Sequence, residues 1–215
     1  MGAEQEHIEM YRKFVERYSD VIEFVRQYYE RTVPKDAPHP WIFPGFKVEH
    51  ALRVLKYSML IAAGREVDLD VIALAAILHD IAAYNYEKYH AIDGSRIAEK
   101  YLVDRGFPNE LVRKVTRAIA VHSGPLAFEA NTLEEKILQD ADTIDKVGAF
   151  GITTFLLYCG SRKYTPRQAL EELKKTIVPK LEWYRKTMHT PEGKRLVEEG
   201  CKYIENFIKK LEKEL

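Results

Sequence analysis

Apolar side chains recur along this chain in steps of three and four residues, which is the spacing of one helical face. On this basis a first helix is predicted from Glu4 to Glu30. Further helices are predicted from Lys47 to Ala63, from Asp68 into His79, from Gly94 to Arg105 and from Pro108 to His122. No convincing set of alternating strands is found, so the pattern predicts an all-α fold.

Helix starts are marked most clearly in the second half of the chain. Thr132-Leu-Glu-Glu135 and Thr165-Pro-Arg-Gln168 both have the form of a capping box, in which two side chains satisfy free backbone amides. Thr190-Pro191 repeats the Thr-Pro start, because proline suits the first helical position. Pro179 interrupts the apolar spacing between Leu170 and Met188 and predicts a kink there.

A proline-rich stretch separates the first helix from the rest. The segment from Thr32 to Phe46 contains four prolines, which deny helix continuation. Its aromatic residues Trp41, Phe43 and Phe46 predict a loop that packs on the body. We therefore expect a single-domain helical bundle, in which residues 1–45 form an N-terminal helix and loop packed on a body of residues 46–215.

Composition narrows the functional class. The 215 residues, 46% of them hydrophobic, are enough for one buried core. The 33 basic and 33 acidic side chains balance, so general nucleic-acid binding is not expected. No apolar run approaches the ~20 residues that cross a bilayer, and Cys159 and Cys201 form no metal-binding or redox pair. We expect a cytoplasmic protein without a membrane partner. Aromatic residues of the first helix could cover the core or pair with another subunit, so a homodimer is a possible assembly.

The residues that could carry chemistry are concentrated in the middle of the chain. His79 and Asp80 end a helix that is otherwise apolar. A carboxylate buried there without a partner would cost several kcal/mol, and a divalent cation that binds both side chains would remove that cost. His50 lies on another predicted core helix, with Arg53 one helical step along the same face.

Three aspartates follow in one predicted helix, at positions 140, 142 and 145. Positions 140 and 142 are ~200° apart around a regular helix, so their side chains cannot both face one ion. We expect Asp142 to be the direct ligand, with Asp140 as the alternative and the other carboxylates in supporting roles. Lys146 lies four residues after Asp142, on the same face.

Taken in order, these motifs resemble the HD superfamily of metal-dependent phosphohydrolases. The resemblance is carried by "HALRVL", "ALAAILHDI", "AIAVHSG", "ILQDADTIDKVGAFGI" and the tail from "HTPEGKRL". It extends from about Phe46 to the C-terminus and is greatest to small bacterial and archaeal members similar to nucleoside-triphosphate pyrophosphohydrolases. The resemblance implies an HD-type helical domain. Thr143-Ile144 stands where many relatives have Arg-Leu, and Thr153-Thr154 where they often carry a basic residue.

The resemblance also implies a ligand set, by matching positions. His50, His79, Asp80 and Asp142 match the family's metal ligands. His90 and His122 fall where some members place further histidines, for a second metal or for substrate. Two imidazoles and two carboxylates suit Mn, Fe, Co, Ni, Mg or Zn without choosing among them.

The activity so implied is hydrolysis of a phosphate bond in a nucleotide or related phosphorylated small molecule. Metal-bound water would attack phosphorus, and Asp80 or Glu87 would accept its proton. Arg53, Lys88 and Lys146 are the expected phosphate contacts.

Three alternative functions are compatible with the same residues. A dinuclear phosphodiesterase or a diiron oxygenase would use His90 and His122 as further ligands. A non-catalytic, metal-bound regulatory module would belong to a different class. The complete ligand set argues against the last, because degenerate modules tend to lose ligands.

Overall fold

The computed structural model describes residues 3–34, 43–85 and 89–215, and no strand occurs among them. The predicted all-α fold is confirmed. Two short 3-10 segments, Ala83–Asn85 and Gly124–Glu129, supplement the α-helices. The described α-helices are α1 Ala3–Arg17, α2 Ser19–Thr32, α3 Pro44–Ala62, α4 Leu69–Leu78, α5 His90–Asp104, α6 Asn109–Val121, α7 Leu133–Ile144, α8 Gly148–Ser161, α9 Pro166–Thr176, α10 Val178–Thr187 and α11 Pro191–Glu214.

Helix α4 lies at the centre of the bundle. Every residue from Val71 to Leu78 is buried, and α2, α3, α6 and α7 all pack against it. A helix that is apolar on all sides is stable only when neighbours enclose it. The Asp68 side chain begins α4 by accepting a hydrogen bond from the Val71 amide at 3.3 Å. The far end of α4 therefore brings His79 and Asp80 into the protein interior.

The outer helices pack on this centre in two groups. Helices α1 and α2 lie against α3, and α2 also reaches α4. On another side α11 packs against α7, α8, α9 and α10. The Pro-rich segment falls largely on residues 35–42, outside the described residues, so the division at residue 45 stays a proposal.

The single first helix predicted from Glu4 to Glu30 is wrong in one respect, because α1 ends at Arg17 and α2 begins at Ser19. Tyr18 lies at the break with φ −112° and ψ 29°. Its ring is buried, and its hydroxyl donates to Asp70 Oδ1 at 2.6 Å. Phe14, Tyr18 and Val21 all belong to the core, and their spacing of four and three residues is that of one helical face, so the apolar pattern continues across the break and does not reveal it.

The predicted helix starts in the second half are confirmed. Thr132 and Thr165 each form a complete capping box, and the Thr190 hydroxyl accepts from the Gly193 amide at 2.9 Å. The predicted kink at Pro179 is a full break between α9 and α10, since Pro179 lies in the first turn of a new helix. Within the described residues no helix is both long and apolar enough to span a membrane.

Candidate metal centre

Four predicted ligands converge from three helices. His50 comes from α3, His79 and Asp80 from the end of α4, and Asp142 from α7. The Nε2 atoms of His50 and His79 lie 3.0 Å apart. His50 Nε2 lies 3.5 Å from Asp80 Oδ2 and from Asp142 Oδ1, and His79 Nε2 lies 3.8 Å from Asp80 Oδ1 and from Asp142 Oδ1. The structure thus brings together side chains up to 92 positions apart in the sequence.

The outer nitrogens of both histidines are held by hydrogen bonds. His79 Nδ1 donates to the Ala76 carbonyl at 2.9 Å, and His50 Nδ1 donates to Asp145 Oδ2 at 2.7 Å. Burial lowers the pKa of His79 to about 3, so its ring is neutral. Burial is the largest influence on His50 and opposes its charged form, but the hydrogen bonds to Asp145 and Asp80 and the charge of Asp80 together raise its pKa. Each Nε2 is thereby aimed at the centre, as a metal ligand requires.

Two lysines hold the carboxylates from outside. Lys47 Nζ lies 2.6 Å from Asp80 Oδ2, and Lys146 Nζ lies 2.7 Å from Asp142 Oδ2. Burial opposes ionisation of both acids, yet the adjacent lysine holds the pKa of each below its usual range. The Oδ1 atoms facing the histidines are therefore anionic. The imidazole nitrogens of His50 and His79 lie 3.0–3.8 Å from each other and from the carboxylates of Asp80 and Asp142, an arrangement that fits a divalent cation.

A second group of donors shares Asp80. His90 Nε2 and His122 Nε2 each lie 3.6 Å from Asp80 Oδ1. His122 Nδ1 donates to the Ile119 carbonyl at 2.7 Å, which aims its Nε2 inward, and the Ser123 hydroxyl lies 3.2 Å from His90 Nε2. Asp80 Oδ1 therefore stands between two sets of imidazoles and could bridge two ions.

Asp140 requires a correction, because the structure does not bring it to this cluster. Its Oδ1 accepts from the His189 amide at 2.9 Å, and its Oδ2 accepts from the Thr190 amide at 2.8 Å and the Thr190 hydroxyl at 2.6 Å. Both oxygens are committed to the start of α11. Asp140 is neither the alternative ligand nor a group that faces substrate.

Arg53 is a second correction. Its Nε donates to Asp145 Oδ1 at 2.7 Å, and its guanidinium lies 3.3 Å from the centroid of the Phe150 ring. These contacts turn it toward Asp145, the residue that holds His50, and it is not among the residues that line the cavity over the cluster. Arg53 supports the cluster from behind and is not placed to contact a phosphate.

Two predicted residues, Glu87 and Lys88, lie outside the described residues. Sequence reasoning also missed one residue, since Lys47 was not singled out. Lys47 is three residues before His50 and therefore on the same face of α3, and this spacing is the signal that could have found it. Lys146 lies where it was expected, beside Asp142.

A cavity of about 970 Å³ lies over the cluster. His50, Asp80, His90, His122 and Asp142 line one part of it. Helices α8, α9 and α10 supply much of the rest, and five of the lining side chains there are aromatic. Those aromatic residues are Phe150, Phe155, Tyr158, Trp183 and Tyr184.

Comparison with known proteins is consistent with this geometry. Residues 48–146 match the family model of the HD domain. The chain is similar to an HD-superfamily hydrolase of Bacillus thuringiensis, with 25% identity, a TM-score of 0.68, and coverage of 94% of this chain and 97% of that one.

Two proteins of Bacillus subtilis are also similar. YpgQ is 24% identical over 80% of this chain and 85% of its own length. The structure of YpgQ in complex with ADP superposes with a TM-score of 0.66 over 94% of this chain and 96% of that chain, at 20% identity. YueE, provisionally named a phosphohydrolase, is 30% identical over 46% of this chain and 65% of its own length.

Proposed function

We propose that this chain, whose residues 48–146 match the HD-domain family model, is a metal-dependent phosphohydrolase acting on a nucleotide or a related phosphorylated small molecule. One observation carries the proposal. The Nε2 atoms of His50 and His79 lie 3.0 Å apart and face the carboxylates of Asp80 and Asp142 beneath an open cavity.

His50, His79, Asp80 and Asp142 would hold the cation, which could be Mn, Fe, Co, Ni, Mg or Zn. When bound, such an ion acidifies water and neutralises charge on a phosphoryl oxygen. The protein's own part is to fix the ligands in place and keep them in the right charge state. Asp80 faces the centre through Oδ1, and this position makes it the group that would accept a proton from an attacking water.

The charge of the cavity supports a need for the cation. Among the described residues that line it, three lysines stand against four carboxylates, so the walls alone are slightly negative and would repel a phosphate. One bound divalent ion would make the net charge of the cavity walls positive. Lys146, whose side chain is 45% exposed beside Asp142, is then placed to contact a phosphate oxygen.

The substrate class is supported by cavity size and lining. A volume of about 970 Å³ lies in the range of sites for small organic ligands and exceeds what inorganic phosphate needs. Aromatic side chains form much of the wall away from the cluster and suit the base of a nucleotide. The presence of ADP in the YpgQ structure agrees with this choice.

A dinuclear phosphodiesterase is the second candidate. It is favoured by the 3.6 Å distances from Asp80 Oδ1 to the Nε2 atoms of His90 and His122. Metal analysis of the purified protein distinguishes the two candidates, because one ion per chain fits the first and two fit the second. Two iron ions per chain would instead favour a diiron oxygenase.

The proposed function is tested by a panel of nucleotides with added Mn²⁺, Co²⁺ or Mg²⁺, assayed for phosphate and pyrophosphate release. We expect turnover by the wild type and none by His79→Ala or Asp80→Ala, each of which should keep its helical circular-dichroism spectrum. His189→Ala is the matched control, since His189 contacts Gln139 away from the cluster. Activity that survives loss of His79 or Asp80 would refute the assignment.

A further inference from the structure

The wall formed by α8, α9 and α10 is chemically unlike the metal end of the same cavity. Phe155 and Tyr184 are buried in it, and Trp183 is 58% exposed. Aromatic side chains in a cavity of this kind stack on planar heterocycles, and they do so without regard to which base is present. Any selection between bases must therefore come from polar groups among them.

Glu172 is such a group. It lines the cavity, is partly buried, and forms no ion pair or side-chain hydrogen bond with any residue that the structure describes. The adjacent Glu171 differs, because it pairs with Lys174 at 3.7 Å on the outer face of α9. A carboxylate on a mostly apolar wall is costly until a donor meets it.

Thr154 adds a second unmatched polar group. Its hydroxyl is buried without a hydrogen-bond partner among the described residues, and the residue lines the same cavity. By contrast, the Thr176 hydroxyl is committed to the Glu172 carbonyl at 2.7 Å. The Thr154 hydroxyl itself is not exposed to the cavity, so the Glu172 carboxylate is the polar group that α9 offers to a ligand between the aromatic rings.

We infer that Glu172 selects the substrate by accepting a hydrogen bond from the exocyclic amino group of a nucleobase, as adenine and cytosine present. The inference rests on the proposed function, because a nucleotide with its phosphates at the metal end directs its base toward this wall. A carboxylate accepts from an amino group and repels a carbonyl oxygen at the same ring position. Hypoxanthine and uracil, which carry that carbonyl, are therefore disfavoured.

The test uses two matched pairs, ATP against ITP and CTP against UTP, which exchange the amino group for a carbonyl oxygen. Wild type, Glu172→Gln and Glu171→Gln are compared by kcat/KM with Mn²⁺. Calorimetric binding of AMP and IMP to the same proteins gives a readout independent of turnover. We expect wild type and Glu171→Gln to favour the amino member about tenfold or more, and Glu172→Gln to lose most of that preference.

The inference is overturned if the wild type treats the members of each pair alike, or if Glu172→Gln keeps the preference. Its failure is distinguishable from failure of the proposed function. Absence of turnover with a binding preference for AMP that depends on Glu172 would reject the hydrolase and support the selection. Turnover without a preference would support the hydrolase and reject the selection by Glu172. If the protein neither binds nor cleaves any of these nucleotides, both proposals are rejected.

Discussion

The three aspartates of α7 have three different surroundings, although they lie within six residues. Asp140 accepts hydrogen bonds from the start of α11, Asp142 faces the metal centre, and Asp145 holds His50. Helical geometry separates Asp140 from Asp142, since two residues turn the side chain by ~200°, whereas Asp145 directly follows the last residue of α7. The role of each carboxylate is therefore set by the helix that it faces.

Asp145→Asn should weaken metal binding while leaving the fold intact. The substitution removes the charge that orients His50 and pairs with Arg53, at 2.7 Å in each case. Partners of this kind typically change metal affinity by about 10- to 100-fold. Titration with Mn²⁺ or Co²⁺ measures the change without any assay of activity. An unchanged affinity would show that Asp145 serves only to hold Arg53.

Asp140→Asn should do the opposite and lower stability while sparing the metal. Its carboxylate accepts three hydrogen bonds at 2.6–2.9 Å, and an amide in its place presents a donor to Thr190 where an acceptor is needed. We expect the free energy of unfolding to fall by about 2–3 kcal/mol. Denaturant unfolding of metal-free protein measures this, and the same variant should bind Mn²⁺ with wild-type affinity. Loss of metal binding would return Asp140 to the ligand set.

Between elements, a close approach involves Gly200 of α11, which faces Val147 and Gly148 at the start of α8. A Cβ at Gly200 would collide with the Val147 side chain and lie 3.1 Å from the Gly148 amide. Gly200→Ala should therefore destabilise by about 1–3 kcal/mol, because the packed helices must shift. Gly160→Ala is the matched control in α8: no atom lies within 4 Å of its added Cβ, so it should be neutral or slightly stabilising. Equal midpoints of thermal unfolding for the two variants would contradict this account.

Several of the helices predicted from the sequence alone share one property. Residues next to their start or end mark the boundary, as do the capping boxes of Thr132 and Thr165. Gly106 does the same at the end of α5, where its backbone is left-handed with φ +76°. Helix α8 was not predicted, and its N-terminal residue Val147 has no side-chain cap. The break at Tyr18 was missed for a similar reason. The Tyr18 hydroxyl at the break donates to Asp70, which lies 52 positions away. The periodicity of the first helix carries no information on so distant a contact.

For the molecule as a whole, the residues of the cluster were predictable because their motifs resemble those of the HD superfamily and because His79 and Asp80 end a helix that is otherwise apolar. The cavity wall was not predictable. Glu172 and Trp183 reach the cavity through the packing of α8, α9 and α10, and in the sequence they read as ordinary surface residues of amphipathic helices. Arg53 was misread for the same reason, since its partner Asp145 lies 92 positions away.

Because the candidate ligands belong to α3, α4 and α7, a bound ion would add a further link between helices that already meet through apolar packing, the Lys47–Asp80 pair and the hydrogen bonds of His50 and Arg53 to Asp145. Addition of Mn²⁺ to metal-free protein should therefore raise the temperature of unfolding. At 100 times the dissociation constant the gain is about 2.7 kcal/mol, or roughly 5–10 °C for a chain of this size. Differential scanning calorimetry measures the shift. His79→Ala should show almost no increase in unfolding temperature on addition of Mn²⁺. Asp140→Asn should show the full increase, from a lower starting temperature. Equal increases in wild type and His79→Ala would mean that the ion binds elsewhere.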